Sequence, residues 1–201
     1  MPDTGRPGPD TIKGHSLDIL KEAALFSTDP HVRAFSLYLL ALEGNPSLKN
    51  IFLSSLRDRD KRVRSRAAMA LAGLGADALP DLIDLLCDDD WRIRYRAAEA
   101  LGEIRSAVGT AHLIRVVDDD RDHVRYMAIK SLGSLEEKAA VPSIIPRLSD
   151  ENEYVRRMAA VSLGKIGGED ALSALRKALH TEASESVRGA LRVVLKKDGT
   201  G

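Results

Sequence analysis

The pattern of apolar and polar positions along this 201-residue chain repeats about every 31 residues. In each repeat an aliphatic residue is followed directly by arginine, and successive pairs lie 30 to 32 residues apart. The six pairs are Val32 and Arg33, Val63 and Arg64, Ile93 and Arg94, Val124 and Arg125, Val155 and Arg156, and Val187 and Arg188. A fixed period of this length is typical of stacked helix pairs, so we expect a repeat array in which each repeat contacts its neighbours.

Within a repeat, the spacing of apolar residues predicts one longer helix that begins near the aliphatic residue. Counting that residue as position 0, small or apolar residues recur at +4, +5, +8 and +11, which gathers them on one side of a helix. In the third repeat they are Ala97, Ala98, Leu101 and Ile104. The glycine at +9, such as Gly102, sits inside the helix and indicates close approach of a neighbouring helix.

A second, shorter apolar segment follows in each repeat and ends in an acidic turn. Asp60 and Asp90 lie three residues before the next aliphatic position, where a carboxylate can cap the following helix. Pro146 falls inside the short helix of the fourth repeat, where we expect a local distortion. With one further helix over Ser16 to Phe26, the pattern predicts twelve helices in six pairs.

The most regular repeats resemble a known class. The strings VRSRAAMALAGLG from Val63 and IRYRAAEALGEI from Ile93 are similar to HEAT-like repeats of the phycobilisome-lyase type, and the resemblance covers about residues 16–196. It implies an all-α fold, an α-solenoid of about six HEAT-like helix pairs. Because repeats of this class serve very different roles, the resemblance predicts the fold more strongly than the function.

Composition adds few constraints. Thirty Lys and Arg residues balance thirty Asp and Glu residues, so the overall charge predicts neither a nucleic-acid nor a membrane partner. The single cysteine, Cys87, cannot form an internal disulfide, which favours a reducing, cytoplasmic location. Glycine and proline over residues 1–14 indicate a disordered lead-in, followed by one repeat array over residues 15–197 and a frayed tail over 198–201.

The arginines of the repeated pairs occupy one register, and we interpret them as structural. An invariant residue in every repeat suits a tie to the acidic turn, such as Arg64 with Asp60 or Arg94 with Asp90, better than a binding face, which needs variety. The acidic runs at 88–90 and 118–120 lack the alternating ligands, central glycine and closing glutamate of a calcium loop, so capping turns are the preferred interpretation.

The remaining positions of each long helix lie opposite the apolar stripe and predict a partner-binding face. They carry the only tryptophan, all four tyrosines and many arginines. The candidate residues are Arg62, Arg66, Trp91, Arg92, Tyr95, Arg96, His123, Tyr126, Met127, Tyr154 and Arg157. Aromatic residues and arginines are enriched in interface hot spots. Over the second to fifth repeats, these positions carry eight basic residues and four acidic ones. We therefore expect a protein or peptide partner with acidic character.

Two other functions stay open. A phycobilin-lyase-like chromophore chaperone, implied by the resemblance, would bind a bilin with the same arginines and aromatic residues. A nucleic-acid-binding repeat protein would stack bases on Tyr and Trp, but the acids on the face argue against it.

No chemistry stands out in the sequence. The His-Glu pairs of deoxyhypusine hydroxylases, iron enzymes built on similar repeats, are missing, as are a P-loop and a dinucleotide fingerprint. We therefore expect a non-enzymatic protein with no catalytic residues, no cofactor, no metal site and no membrane partner.

Overall fold

The computed structural model describes residues 9–197, and over that range every regular element is helical. The twelve α-helices there are α1 (Pro9–Phe26), α2 (Pro30–Leu42), α3 (Lys49–Ser55), α4 (Lys61–Gly73), α5 (Leu79–Asp84), α6 (Trp91–Ile104), α7 (Ala107–Val116), α8 (Asp122–Leu135), α9 (Val141–Ile144), α10 (Glu153–Ile166), α11 (Glu169–Thr181) and α12 (Glu185–Lys197). The predicted all-α fold is confirmed, and the predicted alternation of long and short helices holds from α2 to α10, whereas α11 and α12 have 13 residues each.

The chain divides into two compact units, Met1–Ala78 and Leu79–Gly201, and the single repeat array over residues 15–197 stays a prediction. Helix α1 begins at Pro9 rather than Ser16, so residues 9–14 of the predicted disordered lead-in are helical. The rest of that lead-in and the predicted frayed tail over 198–201 lie outside the described residues.

The first unit is built on α2, which packs between α1 and α4, while α3 packs against α1 and α4. Helix α2 departs from the pattern of the later long helices at its aliphatic position. Val32 is exposed, whereas Arg33, Ser36, Leu37 and Leu40 are buried. The aliphatic residue of the first pair is therefore outside the core, whereas the aliphatic residue of each later pair is buried.

In the second unit the long helices α6, α8, α10 and α12 pack side by side in chain order. Helices α5, α7 and α11, the second helices of their repeats, pack against them. The aliphatic position 0 and the predicted core positions +4, +5 and +8 are buried in each of the helices α6, α8 and α10, whereas the predicted position +11 is buried only in α10 and is half-buried in α6 and α8. The residues at 0, +4, +5 and +8 are Ile93, Ala97, Ala98 and Leu101; Val124, Ala128, Ile129 and Leu132; and Val155, Ala159, Ala160 and Leu163.

Glycine at +9 sets the spacing between neighbouring long helices. A Cβ atom added to Gly102 would lie 2.6 Å from the Cβ of Ser131, and one added to Gly133 would lie 2.5 Å from the Cβ of Ser162. Each serine is buried, and its hydroxyl donates to a carbonyl of the preceding long helix, Ser131 to Ala98 at 3.0 Å. The close approach predicted from the +9 glycines is thus confirmed, and a buried polar hydroxyl accompanies it.

The distortion expected at Pro146 is also confirmed. Helix α9 spans only Val141–Ile144 and continues as a 3₁₀ segment over Ile145–Ser149. Proline has no amide hydrogen to donate to the α-helical ladder, so the short helix changes its hydrogen-bonding pattern there.

Candidate functional site

In four of the six repeated pairs the arginine joins two consecutive turns between helices; these are Arg33, Arg94, Arg125 and Arg156. In the first unit, Nε and Nη2 of Arg33 donate to the two carboxylate oxygens of Asp58 at 2.7 and 2.8 Å. Its Nη1 donates to the carbonyls of Ser27 and Thr28, at the turn that precedes α2. In the second unit the same fork joins Arg94 to Asp119, Arg125 to Asp150 and Arg156 to Glu182.

The acidic partner of each arginine also caps its own turn. Asp58 Oδ1 accepts from the amide of Asp60 at 2.8 Å, and Asp150 Oδ1 accepts from that of Asn152 at 3.0 Å. Burial acts to raise the pKa of Asp58, but the hydrogen bonds from Arg33 and from the Asp60 amide bring that pKa below its ordinary value. The carboxylate is therefore held ionised by the groups it connects.

These contacts support the structural interpretation of the arginines but correct the expected pairing. Arg94 pairs with Asp119 and Asp120, which lie 25 and 26 residues later, and not with Asp90. Asp90 instead accepts from the amide and side chain of Arg92, and so caps α6 as expected. The acidic runs therefore serve as capping turns and as arginine partners.

Three tyrosines predicted on the binding face converge in the second unit. Tyr95 of α6, Tyr126 of α8 and Tyr154 of α10 line one cavity of about 340 Å³, which we call the tyrosine cavity. Its other lining residues are Asp122, His123, Asn152 and Val155. The common register of the long helices brings these side chains together, because each tyrosine lies within the first two turns of its helix.

Trp91 extends this aromatic cluster. Its ring lies 5.1 Å from the ring of His123, between centroids, at an interplanar angle of 45°. Trp91 is half-buried, whereas Tyr154 is 65% exposed. Trp91 is therefore held against His123, whereas Tyr154 is open to solvent.

Asp122 is the charged group of the tyrosine cavity. Its Oδ1 accepts from the amide and from Nδ1 of His123, each at 2.7 Å, and its Oδ2 accepts from Nδ2 of Asn152. Burial acts to raise the pKa of Asp122, but these hydrogen bonds lower it below its ordinary value. The group is therefore a carboxylate at neutral pH.

Tyr95 is held from outside the cavity as well. The guanidinium of Arg96 lies 5.1 Å from the centroid of its ring, and Arg96 also donates to Glu99 at 2.5 Å. Partial burial, followed by the charge of Glu99, raises the pKa of Tyr95, so its phenol stays protonated.

Most arginines predicted on the face bind groups of this chain. Arg62 donates to Asp60, and Arg92 donates to Asp90, each within its own N-terminal turn. Arg66 lies over the ring of Tyr38 at 5.0 Å, in the first unit. Arg62 and Arg66 belong to the first unit and the other nine candidate residues to the second.

Met127 was wrongly assigned to the binding face. It is buried, with 2% of its surface exposed, although Phe35 at the equivalent position of α2 is 60% exposed. Helix α8 packs between α6 and α10, so its +3 position lies at the edge of a covered side. An arginine there can extend its head to solvent, whereas a methionine side chain is covered completely.

A second cavity lies among α10, α11 and α12 and encloses about 660 Å³. We call it the valine cavity, because Val161, Val193 and Val194 line it together with the cations Arg157 and Lys165. None of the described residues that line it is acidic. Arg157 is exposed and lies one helical turn after Tyr154 on α10.

Sequence reasoning missed part of this arrangement. Asp122 is the first residue of α8 and Asn152 caps α10, and neither was among the predicted binding residues. The valine cavity depends on small residues of α10 and α12, Gly164, Gly189 and Ala190, which the sequence pattern did not assign to a binding site. The small size of these residues is the one feature of the sequence that indicates open space between α10 and α12.

The described part of the chain has neither a metal-binding cluster nor a membrane-spanning helix. No group of three or more His, Cys, Asp and Glu side chains in that part of the chain could hold a metal ion. Among the same residues, no helix has both the length and the apolar character that a membrane crossing requires.

Comparison with known proteins agrees with this architecture. The family model described as HEAT repeats matches residues 50–126 and 110–196. No curated protein is similar enough in sequence to count as a match.

Solved structures with a similar fold come from proteins with different activities. The complex of CpcE and CpcF of phycocyanin lyase from a Nostoc species is 20% identical, covers 75% of this chain and 99% of that chain, and has a TM-score of 0.68. Human deoxyhypusine hydroxylase is 22% identical over 94% of this chain and 75% of that chain, with a TM-score of 0.54. A designed armadillo repeat protein in complex with the peptide (KR)4 is 20% identical over 90% of this chain and 98% of that chain, with a TM-score of 0.56. At these identities the likeness concerns the fold alone, and the predicted α-solenoid of HEAT-like repeats is confirmed.

Proposed function

This chain belongs to the HEAT repeat family, and from that premise we propose that it is a non-enzymatic scaffold that binds a protein or peptide. The observation that carries the proposal is the tyrosine cavity, in which Tyr95, Tyr126 and Tyr154 from three successive long helices line one space. Repeat proteins use such rows of equivalent positions as extended binding surfaces. Buried or half-buried aromatic anchors dominate the energy of most interfaces.

The partner is an extended or helical segment anchored in the tyrosine cavity. A volume of about 340 Å³ lies at the lower end of the range for ligand sites, which suits one side chain rather than a whole cofactor. Trp91 and His123, with their rings 5.1 Å apart, form the adjoining edge against which the rest of the segment packs.

The acidic character of the partner is assigned to a different part of the surface. Arg62, Arg92 and Arg96 already donate to carboxylates of their own helices. Arg157 and Lys165 line the valine cavity, where no described lining residue is acidic. We assign the acidic residues of the partner to these two cations, which lie about one and three turns along α10 from Tyr154.

The test is a peptide selection with matched variants. Peptides that bind the full chain are selected from a random display library, and their dissociation constants are measured for the wild type and for the double variant Trp91→Ala with Tyr95→Ala. Loss of two aromatic anchors is expected to weaken binding by about 30-fold or more. Far-ultraviolet circular dichroism should show unchanged helicity in the double variant.

The control for this experiment is Val108→Ala, which shortens an exposed apolar residue of α7 outside both cavities. It should bind the selected peptides as the wild type does. If the double variant binds them with unchanged affinity, the tyrosine cavity is not the binding site.

A chromophore chaperone is the second candidate, favoured by the valine cavity. Its volume of about 660 Å³, its apolar lining and its two cations suit an elongated apolar ligand with carboxylate groups. Titration with a free bilin tests it: a red-shifted, sharpened visible band that Arg157→Ala weakens would support this function, and an unchanged spectrum would remove it.

A further inference from the structure

The tyrosine cavity has the lining of a cation site. Three tyrosine rings border it, and no lysine or arginine is among the described residues that line it. The face of an aromatic ring carries negative potential and attracts cations. Two tyrosines of this protein already hold an internal cation in this way, since Arg66 lies 5.0 Å from the ring centroid of Tyr38 and Arg96 lies 5.1 Å from that of Tyr95.

Asp122 adds a fixed negative charge to the same cavity. A carboxylate offers about four acceptor positions on its two oxygens. Three are filled: Oδ1 accepts twice from His123, and Oδ2 accepts once from Asn152. Oδ2 therefore retains one acceptor position, and the Asp122 side chain is 35% exposed, so that position can be reached.

One free acceptor position distinguishes between the two cationic side chains of proteins. A guanidinium is planar and binds a carboxylate best through two parallel hydrogen bonds, one to each oxygen. Asp122 can offer only one free acceptor position, on Oδ2. An ammonium is a compact charge that needs a single strong acceptor and can contact several ring faces at once.

We propose that the tyrosine cavity takes the ammonium group of a lysine side chain of the bound peptide, between the rings of Tyr95, Tyr126 and Tyr154 and against Asp122. The inference rests on the proposed peptide-binding function and specifies the residue that the cavity selects. The partner segment then carries a lysine for this cavity and acidic residues for Arg157 and Lys165.

The test uses three small probes with the isotope-labelled full chain. Nα-acetyl-lysine N-methylamide, its arginine counterpart and the neutral norleucine counterpart are titrated separately, and amide chemical shifts are followed by nuclear magnetic resonance. The lysine compound should shift the amides of residues that line the cavity. The norleucine compound, which has a similar chain but no charge, should bind about tenfold more weakly.

Two variants examine the origin of the selectivity. Asp122→Asn keeps the shape and an acceptor oxygen but removes the charge, and Tyr126→Leu removes one ring. Each should reduce the preference for lysine over norleucine several-fold, about as much as the loss of one ion or ring contact implies. Tyr38→Leu removes a tyrosine outside the cavity and should leave the preference unchanged.

The outcomes separate this inference from the function beneath it. Equal binding of lysine and norleucine compounds, tighter binding of the arginine compound, or no shifts at the cavity would each overturn the lysine assignment. The proposed peptide-binding function is judged separately, by the dependence of selected peptides on Trp91 and Tyr95.

Discussion

Replacement of Arg125 by methionine gives the sharpest test of how the arginine links stabilise the fold. The side chain of Arg125 is 7% exposed and that of its partner Asp150 only 2%, and the two form a pair of hydrogen bonds of 2.9 Å each. Methionine retains the apolar stem of the arginine but removes the charge. The substitution leaves a buried carboxylate without its main counter-ion and two turn carbonyls without a donor.

Breaking a buried ion pair by removing one partner costs about 3–5 kcal/mol. Arg147 lies 3.6 Å from Asp150 and compensates part of the lost charge, so we expect a loss of about 3 kcal/mol, at the lower end of that range. For a chain of this size, that loss lowers the melting temperature by roughly 6–12 °C.

Thermal unfolding followed by circular dichroism measures the effect. The matched control is Arg92→Met, which removes an arginine with 52% of its side chain exposed that pairs with Asp90, and which should hardly change the melting temperature. The double variant Arg125→Met with Asp150→Asn should recover part of the loss, because it removes the uncompensated charge. If Arg125→Met melts no lower than Arg92→Met, the arginine links do not stabilise the fold.

Three further predictions concern packing, backbone strain and acid stability. Gly102→Ala should cost about 1–3 kcal/mol in urea unfolding, since its Cβ would lie 2.6 Å from the Cβ of Ser131; a neutral effect would show that α6 and α8 can move apart. Glu136→Gly should increase the free energy of unfolding by about 0.5–1 kcal/mol and so raise the melting temperature, because Glu136 has a φ of 58° that glycine adopts without strain. A lower melting temperature would show that the contacts of the Glu136 side chain stabilise the fold by more than the strain costs. The pKa of Asp58 is lower in the folded state than its ordinary value of 3.8, so the stability that this group contributes is present above pH 3.8 and is lost as pH falls through the folded pKa. The urea midpoint of the wild type should therefore fall more steeply below pH 3.8 than that of Arg33→Met, and equal slopes would contradict the linkage.

The core and the tyrosine positions could be predicted because both depend on helical register alone. Once Ile93, Val124 and Val155 are taken as equivalent, positions +4, +5 and +8 must share one side of each helix, and all are buried. The same register carries Tyr95 and Tyr126, both at +2, to equivalent places on neighbouring helices.

The arginine partners could not be predicted in the same way. Arg94 and Asp90 are close in sequence, but the partner of Arg94 lies 25 residues later. A contact of this range depends on how one helix pair stacks on the next, which periodicity does not specify. Local spacing favoured the nearest acid, and that acid was already engaged in capping α6.

Met127 and Asp122 show a second limit of the sequence. A position such as +3 lies between the covered and open sides of a helix, and its exposure depends on the neighbouring side chains: Met127 is buried, whereas Met158 at +3 of α10 is half-buried. Asp122 was regarded only as a charge on the face, because its role depends on hydrogen bonds to His123 and Asn152. Both outcomes depend on tertiary neighbours rather than on the residue itself.

The arginine forks make each joint of the second unit self-contained. Every one uses an arginine from one repeat and an acid from the turn that opens the next, as in Arg94 with Asp119 and Arg125 with Asp150. Deleting or duplicating a whole period would bring an arginine to an equivalent acid, which is an aspartate for Arg94 and Arg125 and a glutamate for Arg156. Gene segments of this length can therefore be gained or lost without a mismatched junction, which lets such a protein change its number of repeats during evolution.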